Sequence, residues 1–505
     1  MKAGGFVKRA RQALYSVALV LICIPSGAAA NGADVTRVSR ASPFASCSTP
    51  VVDAPIYVNA EVEPDVATNP KDPQNVIGVW QQDRWGDGGA HGIMAGYSFD
   101  GGRTWGRTPL PFSVCAPGGL NYERASDPAV SIGPDGTAYA VGLSFDQTTS
   151  RSAVAAIVSR DGGTTWSRLR VIATDNDAGL DKEWITADPV HPGTAYAVWD
   201  NLHVDASGHF TAPAFFSKTT DYGQTWSTPI AIAAKGPDEQ TLGNQILVDA
   251  RTGRLYDTYA FYFCICPSIP KIAYVMSNDG GRTWSRQHVI SNFTALTVEQ
   301  PGSIVPVRSG GFPVAAISRT GRLYVTWEDS RFSGFNEIAV STSKDGIHWT
   351  KPHRANRATG RPAFVPDVAV TTSGKVGITY YDVRRDNIGN TPFTTDYWAT
   401  TTRDGVHFRG DRHLAGPFDL LAAPFAFGLF VGDYEGLAPL GKGFVALFSM
   451  TNCRFDGACV DTNSTDIYST RFGANLGGRT ASRTPASVAR IPLRRAPAQP
   501  ARSTR

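Results

Sequence analysis

Short runs in which apolar and polar residues alternate recur along most of the chain, and they predict β-strands that each bury one face. Residues 157–159 and 338–341 are examples, and each of these runs leads into a turn of conserved composition. The first turn reads Ser-Phe-Asp-Gly-Gly-Arg-Thr-Trp at residues 98–105. Further copies occupy residues 159–166, 219–226 and 277–284, and two copies one residue shorter occupy residues 343–349 and 402–408. Their aspartates are 58 to 66 residues apart, so the chain is a repeat.

Each octet has the composition of a tight turn. Aspartate accepts hydrogen bonds from backbone amides, glycine adopts positive φ, and tryptophan packs a flat apolar face against its surroundings. Two more alternating runs precede each octet, for example residues 129–132 and 138–141 on either side of a Gly-Pro-Asp-Gly turn. Four strands in a unit of about sixty residues predict an all-β fold of the β-propeller type.

The number of blades follows from the first strand of each unit. Segments of this kind begin near residues 63, 126, 182, 243, 312, 365 and 431. We therefore expect seven four-stranded blades, with six as the alternative that the six octets suggest. The last unit has no octet and no fourth strand, so we expect residues 51–58 to supply that strand and close the ring. The propeller is predicted to be one domain over residues 51–474.

The two ends of the chain differ from this pattern. Residues 1–30 combine a basic start, an apolar run at 13–24 and small residues before Ala30, which predicts a secretory signal peptide cleaved near Ala30. The protein is then expected to be secreted, periplasmic or held at the cell surface. Residues 31–50 form an N-terminal extension, and the Ala-, Pro- and Arg-rich tail at 475–505 is expected to be disordered. No later apolar run is long enough to span a membrane.

Charge and cysteine content refine this picture. The formal net charge of +4 conceals a folded region, residues 31–474, in which 44 acidic side chains outnumber 37 basic ones. We expect no nucleic acid partner, and a monomer. In an exported chain six cysteines predict disulfides, with Cys453–Cys459 and Cys47–Cys115 as the favoured pairs and Cys264 with Cys266 left over. Six cysteines allow fifteen pairings, so other connectivities stay open.

The octets resemble the Asp-boxes, or BNR repeats, of the sialidase superfamily, and the resemblance covers roughly residues 60–470. It implies a sialidase-like β-propeller with the octets on the rim, away from the active site. In that family an Arg-Ile-Pro segment in the first blade supplies part of an arginine clamp, and a Tyr–Glu pair and an aspartate perform the chemistry. Here Glu63, Pro64 and Asp65 stand where Arg-Ile-Pro would be expected, which argues against an orthodox exo-α-sialidase.

Candidate site residues come from the loops that enter the first strands and leave the second strands, because such loops line one mouth of a propeller channel. A glycosidase needs two carboxyl groups, or a tyrosine activated by glutamate. The catalytic candidates are Glu63, Asp65, Asp83, Glu123, Asp382 and Tyr434. The substrate-binding candidates are Arg84, Arg124, Arg331, Arg384, Trp85 and Trp199. Other acids in the entering loops include Glu61 and those of residues 181–184, and for each acid the alternative is a solvated or amide-capping role.

Three of the arginines occur in register after the second strands. Arg84, Arg331 and Arg384 each follow an aromatic residue and an aspartate, so they are predicted to converge on a carboxylate or sulfate group. The alternative is an Asp–Arg pair that braces each loop. Acids around the axis could also hold Ca²⁺, although the sequence requires no cofactor and designates no metal ligands.

Together these observations predict an exported, sialidase-like enzyme that hydrolyses a terminal, acidic sugar of a glycan or polysaccharide. Two alternatives remain: a non-catalytic propeller that binds a glycan or protein, and a polysaccharide lyase on the same fold.

Overall fold

The octets form one repeated turn, and its hydrogen bonds explain its composition. Asp100 Oδ1 accepts hydrogen bonds from the amides of Arg103 and Thr104, each at 2.9 Å, and its Oδ2 accepts from Thr104 Oγ1 at 2.7 Å. Gly101 and Gly102 have φ of 72° and 83°, which glycine adopts without strain. In the two shortened copies a histidine replaces the threonine donor; His348 Nδ1, for example, lies 2.7 Å from Asp345 Oδ2.

The fold is taken from a computed structural model, which describes residues 34–50, 54–177, 179–263, 268–300, 305–309, 311–387, 392–452 and 465–473. The strands of the first half are β1 (Val35–Arg37), β2 (Ile56–Thr68), β3 (Val76–Trp85), β4 (Ala90–Ser98), β5 (Gly106–Leu110), β6 (Arg124–Ile132), β7 (Ala138–Phe145), β8 (Ser152–Ser159), β9 (Arg170–Asp175), β10 (Leu180–Ala187), β11 (Ala195–Asn201), β12 (His203–Val204), β13 (Phe210–Thr211), β14 (Ala214–Thr219) and β15 (Ile230–Ala233). Those of the second half are β16 (Glu239–Asp249), β17 (Arg254–Phe263), β18 (Lys271–Ser277), β19 (His288–Asn292), β20 (Val298–Glu299), β21 (Pro306–Val307), β22 (Val314–Ile317), β23 (Leu323–Asp329), β24 (Glu337–Ser343), β25 (His353–Arg354), β26 (Ala363–Val370), β27 (Val376–Asp382), β28 (Thr394–Thr402), β29 (Arg412–Asp419), β30 (Gly436–Leu440), β31 (Gly443–Thr451) and β32 (Thr465–Phe472). A single 3₁₀ turn, Leu420–Ala422, is the one helical element of the described residues.

The strands form antiparallel four-stranded units, which confirms the predicted all-β propeller fold. Five sheets have four strands each, and an eight-stranded sheet consists of two such groups joined at the single pair Ala90 and Ala125. The innermost strands are β2, β6, β10, β16, β22, β26 and β30; each contacts the next, and β30 contacts β2, so the circuit is closed. The described strands therefore supply the seven units that a seven-bladed ring needs.

Up-and-down topology places the two kinds of loop at opposite ends of the ring. Each octet joins the third and fourth strands, so it lies at the end where the first strand finishes. The loops between second and third strands lie at the other end, together with those that enter the first strands. Apolar side chains such as Val198, Phe216 and Ile246 fill the space between adjacent sheets. The octets thus lie at one end of the ring, and the side chains that line the opposite mouth come from other loops and strands.

The prediction that residues 51–58 close the ring is wrong. Val35–Arg37 pairs with β32, with Val35 opposite Thr470, and so supplies the outer strand of the last unit. Residues 56–58 instead begin β2, which is the innermost strand of the first unit. Because Val35–Arg37 forms this outer strand, part of the predicted extension belongs to the ring.

The N-terminal segment is held to the first unit by covalent and polar contacts. Cys47 and Cys115 form a disulfide, which confirms that pairing. Ser42 Oγ donates to Asp83 Oδ2 at 2.5 Å, and Phe44 is buried against the same unit. The predicted pairs of Cys453 with Cys459 and of Cys264 with Cys266 lie outside the described residues, as do the predicted leader and tail. In the part that is described, no helix is long and apolar enough to cross a bilayer.

Candidate active site

Five of the first strands carry a bulge at equivalent positions, near the mouth opposite the octets. The residues with positive φ there are Glu63, Asp127, Lys182, Gly243 and Val365, with φ between 48° and 70°. A bulge redirects a side chain, and a non-glycine residue at positive φ costs about 1–3 kcal/mol. Strain repeated at equivalent positions marks this mouth as the candidate site.

A lysine and three carboxylates from four different units meet at the mouth; we call them the axial cluster. Lys182 Nζ lies 2.5 Å from Asp127 Oδ1, 2.8 Å from Asp433 Oδ2 and 3.4 Å from Glu63 Oε1. All four residues are buried. Oxygens that lie 2.8 and 3.4 Å from one nitrogen are no more than about 6 Å apart, which allows the separation of about 5–5.5 Å found in retaining glycosidases and not the wider one found in inverting enzymes.

The protonation states within the axial cluster are pushed apart. Burial, reinforced by Asp127 and Asp433, raises the pKa of Glu63 to about 7 against the attraction of Lys182. Burial alone would raise the pKa of Asp433, but Lys182 and Arg308 outweigh it and hold that pKa well below its usual range. One carboxyl can therefore carry a proton near neutral pH while another stays ionised, a division of roles that acid–base catalysis uses.

Two arginines border the axial cluster. Arg308 Nε and Nη2 donate to the two oxygens of Asp433 at 3.1 and 2.5 Å. Its guanidinium lies 4.5 Å from the ring centroid of Phe430, and that of Arg84 lies 4.7 Å from the same centroid. Arg84 Nη1 also donates to Gln81 Oε1 at 2.6 Å, and Gln81 Nε2 donates to Glu63. The predicted site residue Arg84 thus acts on Glu63 through Gln81.

Glu183 is a further carboxyl at this mouth, and it has no partner. It is 3% exposed, and among the described residues neither of its oxygens has a hydrogen-bond partner beyond its own residue. Burial, and next the charge of Asp127, raise its pKa well above the usual value. Glu183 lines a small cavity together with Asp127, Lys182 and the rings of Trp184, Phe312 and Tyr434. A protonated carboxyl that faces a cavity without a partner is suited to donate a proton.

Glu63, Asp65 and Tyr434, all predicted site residues, do lie at or beside the axis. The Tyr434 hydroxyl donates to the Pro128 carbonyl at 3.0 Å, and burial raises its pKa well above the usual value, so it is not set up as a nucleophile. Asp65 accepts from the amides of Val66 and Val130, and burial raises its pKa to about 7. It lines an axial cavity of about 220 Å³ on the octet side of the axial cluster.

Three other catalytic candidates have structural partners away from the axial cluster. Asp83 accepts from Ser42 Oγ and from the Asn59 amide, and so fastens the N-terminal segment. Glu123 accepts from the amides of Gln147 and Thr148, which is the amide-capping alternative. Asp382 pairs with an arginine of its own loop. Their carboxylates are already engaged in holding loops.

The predicted convergence of Arg84, Arg331 and Arg384 is not what the described contacts show. Arg331 pairs with Asp329 at 2.7 Å. Arg384 pairs with Asp382 at 2.5 Å and stacks 3.8 Å from the Trp398 centroid. These contacts are the Asp–Arg pairs that the alternative interpretation expected to brace each loop. Such a pair forms easily, because the aspartate stands only two residues before the arginine in the same loop.

The remaining binding candidates belong to the packing of the fold. Arg124 is buried, pairs with Asp87 at 2.6 Å and lies 4.6 Å from the Trp85 centroid. Trp85 is 3% exposed and Trp199 is 1% exposed, stacked on Phe215. Neither tryptophan offers a surface to a ligand, so their assignment to substrate binding is corrected.

Metal and histidine chemistry find no support at this mouth. Within the described ranges no three His, Cys, Asp or Glu side chains are placed to hold an ion, and Lys182 Nζ fills the space between the axial carboxylates. His91 is buried beside Asp83, and His191 and His209 pair with aspartates of their own loops. A Ca²⁺ site among the axial acids therefore has no ligand set in this part of the chain.

Sequence reasoning gave Asp127, Lys182 and Arg308 no role, and it placed Glu183 and Asp433 only among the further acids of the entering loops. The available signal was positional: the residues that the bulges redirect stand at the same place in each first strand, next to Pro64, Pro128 and Pro366 in three of them. Comparing the first strands of the repeat position by position would have shown that the residues at this position differ in charge from unit to unit.

Fold and site together define a sialidase-like β-propeller with a buried carboxylate–lysine cluster at one mouth. No family model matches the chain. A sialidase of Bacteroides fragilis is 26% identical over 205 residues, which cover 34% of this chain and 37% of that protein. The match therefore spans little more than a third of the curated relative.

Solved structures with a related shape are also similar to this chain. An α-L-arabinofuranosidase of Fusarium graminearum has 14% identity and a TM-score of 0.46, covering 68% of this chain and 93% of its own. A Hadza microbial sialidase has 15% identity and a TM-score of 0.42, covering 75% and 73%. A protein of unknown function from Dyadobacter fermentans has 12% identity and a TM-score of 0.43, covering 82% and 96%. Likenesses of this strength carry no inference about activity.

Proposed function

We propose that this protein hydrolyses a glycosidic bond at the mouth of the axial cluster, with Glu183 as proton donor and Asp127 as the carboxylate that works opposite it. The observation that carries the proposal is the buried Glu183 carboxyl, which accepts no hydrogen bond from any other described residue and belongs to a residue that lines a cavity together with Asp127, itself held by Lys182. Glycoside hydrolysis requires two carboxyl groups, one that donates a proton and one that acts as a carboxylate.

The chemistry follows from those two states. Glu183 gives its proton to the glycosidic oxygen as the bond from that oxygen to the anomeric carbon breaks. If Asp127 bonds to the anomeric carbon, the water that later breaks this bond gives its proton to Glu183. If Asp127 instead takes a proton from the attacking water, it releases that proton to solvent and Glu183 is reprotonated from solvent. Lys182 Nζ, 2.5 Å from Asp127 Oδ1, holds that carboxylate in place.

The walls of the cavity suit a sugar ring. Trp184, Phe312 and Tyr434 supply apolar faces, and Asn244 and Gln245 supply amide groups, a combination typical of small-molecule sites. The cavity is about 30 Å³, which is room for a water molecule and not for a sugar. A sugar that reaches Glu183 therefore has to displace Phe312 or Trp184, both of which are only partly buried.

We also propose that the sugar is acidic and that the protein is exported. An acidic sugar would have to be recognised by Arg308 and Arg84, since Arg331 and Arg384 are engaged elsewhere. Export rests on residues 1–30, and the disulfide Cys47–Cys115 is consistent with an oxidising compartment.

The test is release of reducing sugar from a panel of sialosides, uronides and arabinans. Glu183→Gln is expected to reduce turnover by about 100-fold or more, because general acid catalysis contributes that much. Glu123→Gln is the matched control and should keep full activity, since Glu123 caps a loop. If the wild-type protein releases no sugar, or Glu183→Gln remains fully active, the proposal is wrong.

A non-catalytic glycan-binding propeller is the second candidate. The observation in its favour is that Lys182 closes the mouth with short ion pairs to buried carboxylates, an arrangement that could simply stabilise the ring. Binding on a glycan array without sugar release would favour it. A lyase is less favoured, because the described histidines with ion-pair partners bind aspartates outside the axial cluster.

A further inference from the structure

A short hairpin between β29 and β30 projects beside the candidate active site. Phe425 and Leu429 pair as an isolated antiparallel bridge. The Ala426 amide donates to the Gly428 carbonyl at 2.8 Å, so residues 426–428 form the tip. The Phe430 amide donates to the Pro424 carbonyl at 2.9 Å, which closes the base. The hairpin is thus a defined turn.

Phe427, at the tip, is held in an unfavourable state. It is 68% exposed, the most exposed of the large apolar side chains in the described residues, and its φ is 60°. A bulky residue rarely adopts positive φ, and a phenyl ring in water forgoes its burial. Nothing in the fold recovers either cost, since the ring packs into no core cluster. Strain with exposure at one residue is the pattern expected of a binding residue.

The base of this hairpin is tied to the axial cluster. The Leu429 amide donates to the Pro306 carbonyl at 2.8 Å, and the Arg308 amide donates to the Leu429 carbonyl at 3.0 Å. Gly428 packs so closely here that a Cβ would lie 2.7 Å from the Arg308 amide nitrogen. Phe430, the next residue after Leu429, lies between these contacts and the guanidinium groups of Arg308 and Arg84. Phe427 is therefore three residues along the chain from Phe430, whose ring contacts both arginines that border the axial cluster.

A second exposed ring lies in the same hairpin. Phe425 is 44% exposed, and its carbonyl oxygen lies 3.2 Å from the position that a Cβ on Gly86 would occupy. Gly86 belongs to the loop after β3, which follows Arg84. The hairpin is thereby supported by the first unit on one side and by the Arg308 loop on the other.

We propose that Phe427, with Phe425, is an aromatic platform for a sugar ring of the glycan chain outside the cleavage position. The proposal rests on the proposed function only in taking the ligand to be a glycan that reaches the mouth. The C–H face of a sugar ring is apolar and matches the flat face of phenylalanine, and an exposed platform leaves the sugar hydroxyls in water. Such a platform binds chain sugars and performs no chemistry.

The experiment compares Phe427→Asn, which removes the ring but tolerates positive φ, with Phe427→Tyr, which keeps it. Phe99→Asn, at a 55% exposed ring on the first octet, is the control. Binding to soluble arabinan, polygalacturonate and a sialylated glycoprotein is measured by affinity electrophoresis. Phe427→Asn should weaken binding by about tenfold, with any kinetic loss falling on KM, while Phe427→Tyr and Phe99→Asn bind as the wild type does.

Other outcomes decide against the platform. Equal binding by Phe427→Asn and the wild type overturns it, and so does wild-type binding to none of the three probes. If sedimentation shows a wild-type dimer that Phe427→Asn dissociates, the rings cover a second copy of the chain instead. A wild type that binds but releases no sugar refutes the proposed hydrolysis and leaves the platform standing, so the two failures are distinguishable.

Discussion

Replacement of Lys182 by methionine tests whether the axial cluster is organised by charge. The substitution keeps much of the side-chain volume and removes the cation that lies within 3.4 Å of three buried carboxylates. Removing one partner of a buried ion pair costs about 3–5 kcal/mol, because the remaining charge is left uncompensated. Only Arg308 remains in direct contact with Asp433 among the described cations. We expect a loss of about 3–5 kcal/mol in the free energy of unfolding at pH 8.

The loss should depend on pH, and its sign follows from proton binding. Without Lys182 the folded pKa of Glu63 rises further above its unfolded value, and Asp433 loses the larger of the two attractions that hold its pKa down. A carboxyl with a raised folded pKa takes up a proton on folding, so the variant gains stability as pH falls from 8 to 5. In the wild type Lys182 holds the pKa of Asp433 low, so the ion pair stabilises the folded state. This stabilisation is undiminished down to about pH 4, the ordinary pKa range of aspartate. The difference between the two proteins should therefore shrink at pH 5.

The assay is urea-induced unfolding followed by tryptophan fluorescence at pH 5 and pH 8. Arg251→Met, which removes one side of the exposed pair with Asp249, is the control and should cause no measurable change. A Lys182→Met loss below about 1 kcal/mol, or an equal loss at both pH values, would refute the reasoning. In that case the axial cluster would be held by packing, and Lys182 would not set the charge of Asp127.

Three further predictions concern stability. Asp65→Asn should flatten the decline in stability between about pH 4 and pH 7, since a folded pKa of about 7 means that ionising Asp65 opposes folding by up to about 4 kcal/mol; an unchanged pH profile of the urea midpoint would contradict this. Cys47→Ser should destabilise by about 4 kcal/mol, the entropy of a loop of 68 residues, and so lower the Tm; a wild-type Tm would contradict it. Asp100→Ala should cost about 2 kcal/mol through four lost hydrogen bonds and leave ligand binding intact; a parallel loss of binding on a glycan array would place the octet in the site after all.

The repeat made the fold predictable. Octets with fixed glycine, threonine and tryptophan positions encode a turn locally, and the alternating runs between them encode strands, so neither requires knowledge of the rest of the chain. The closing strand was not predictable in the same way. Val35–Arg37 is three residues long and pairs with a strand more than 400 residues later, and nothing in its own sequence specifies that partner.

The candidate site was predicted in part. Of the residues selected from the sequence, Glu63, Tyr434 and Arg84 lie at or beside the axial cluster. Arg331 and Arg384 were assigned by their similarity to Arg84, but each meets the aspartate two residues before it, because a local pair needs no long-range geometry. Arg84 differs because its partner Gln81 leads to a glutamate of the neighbouring strand.

By itself the sequence determined the turns, the strands and their number per unit, since these depend on hydrogen bonds and hydrophobic periodicity within about sixty residues. Tertiary structure alone decided which charges meet. Asp127, Lys182 and Asp433 are separated by as much as 306 residues and come together because ring closure brings the first strands to one axis, where bulges redirect Asp127 and Lys182. The pKa values of Lys182 and Asp433 then depend on burial and on neighbouring charges, and both of these exist only in the folded ring.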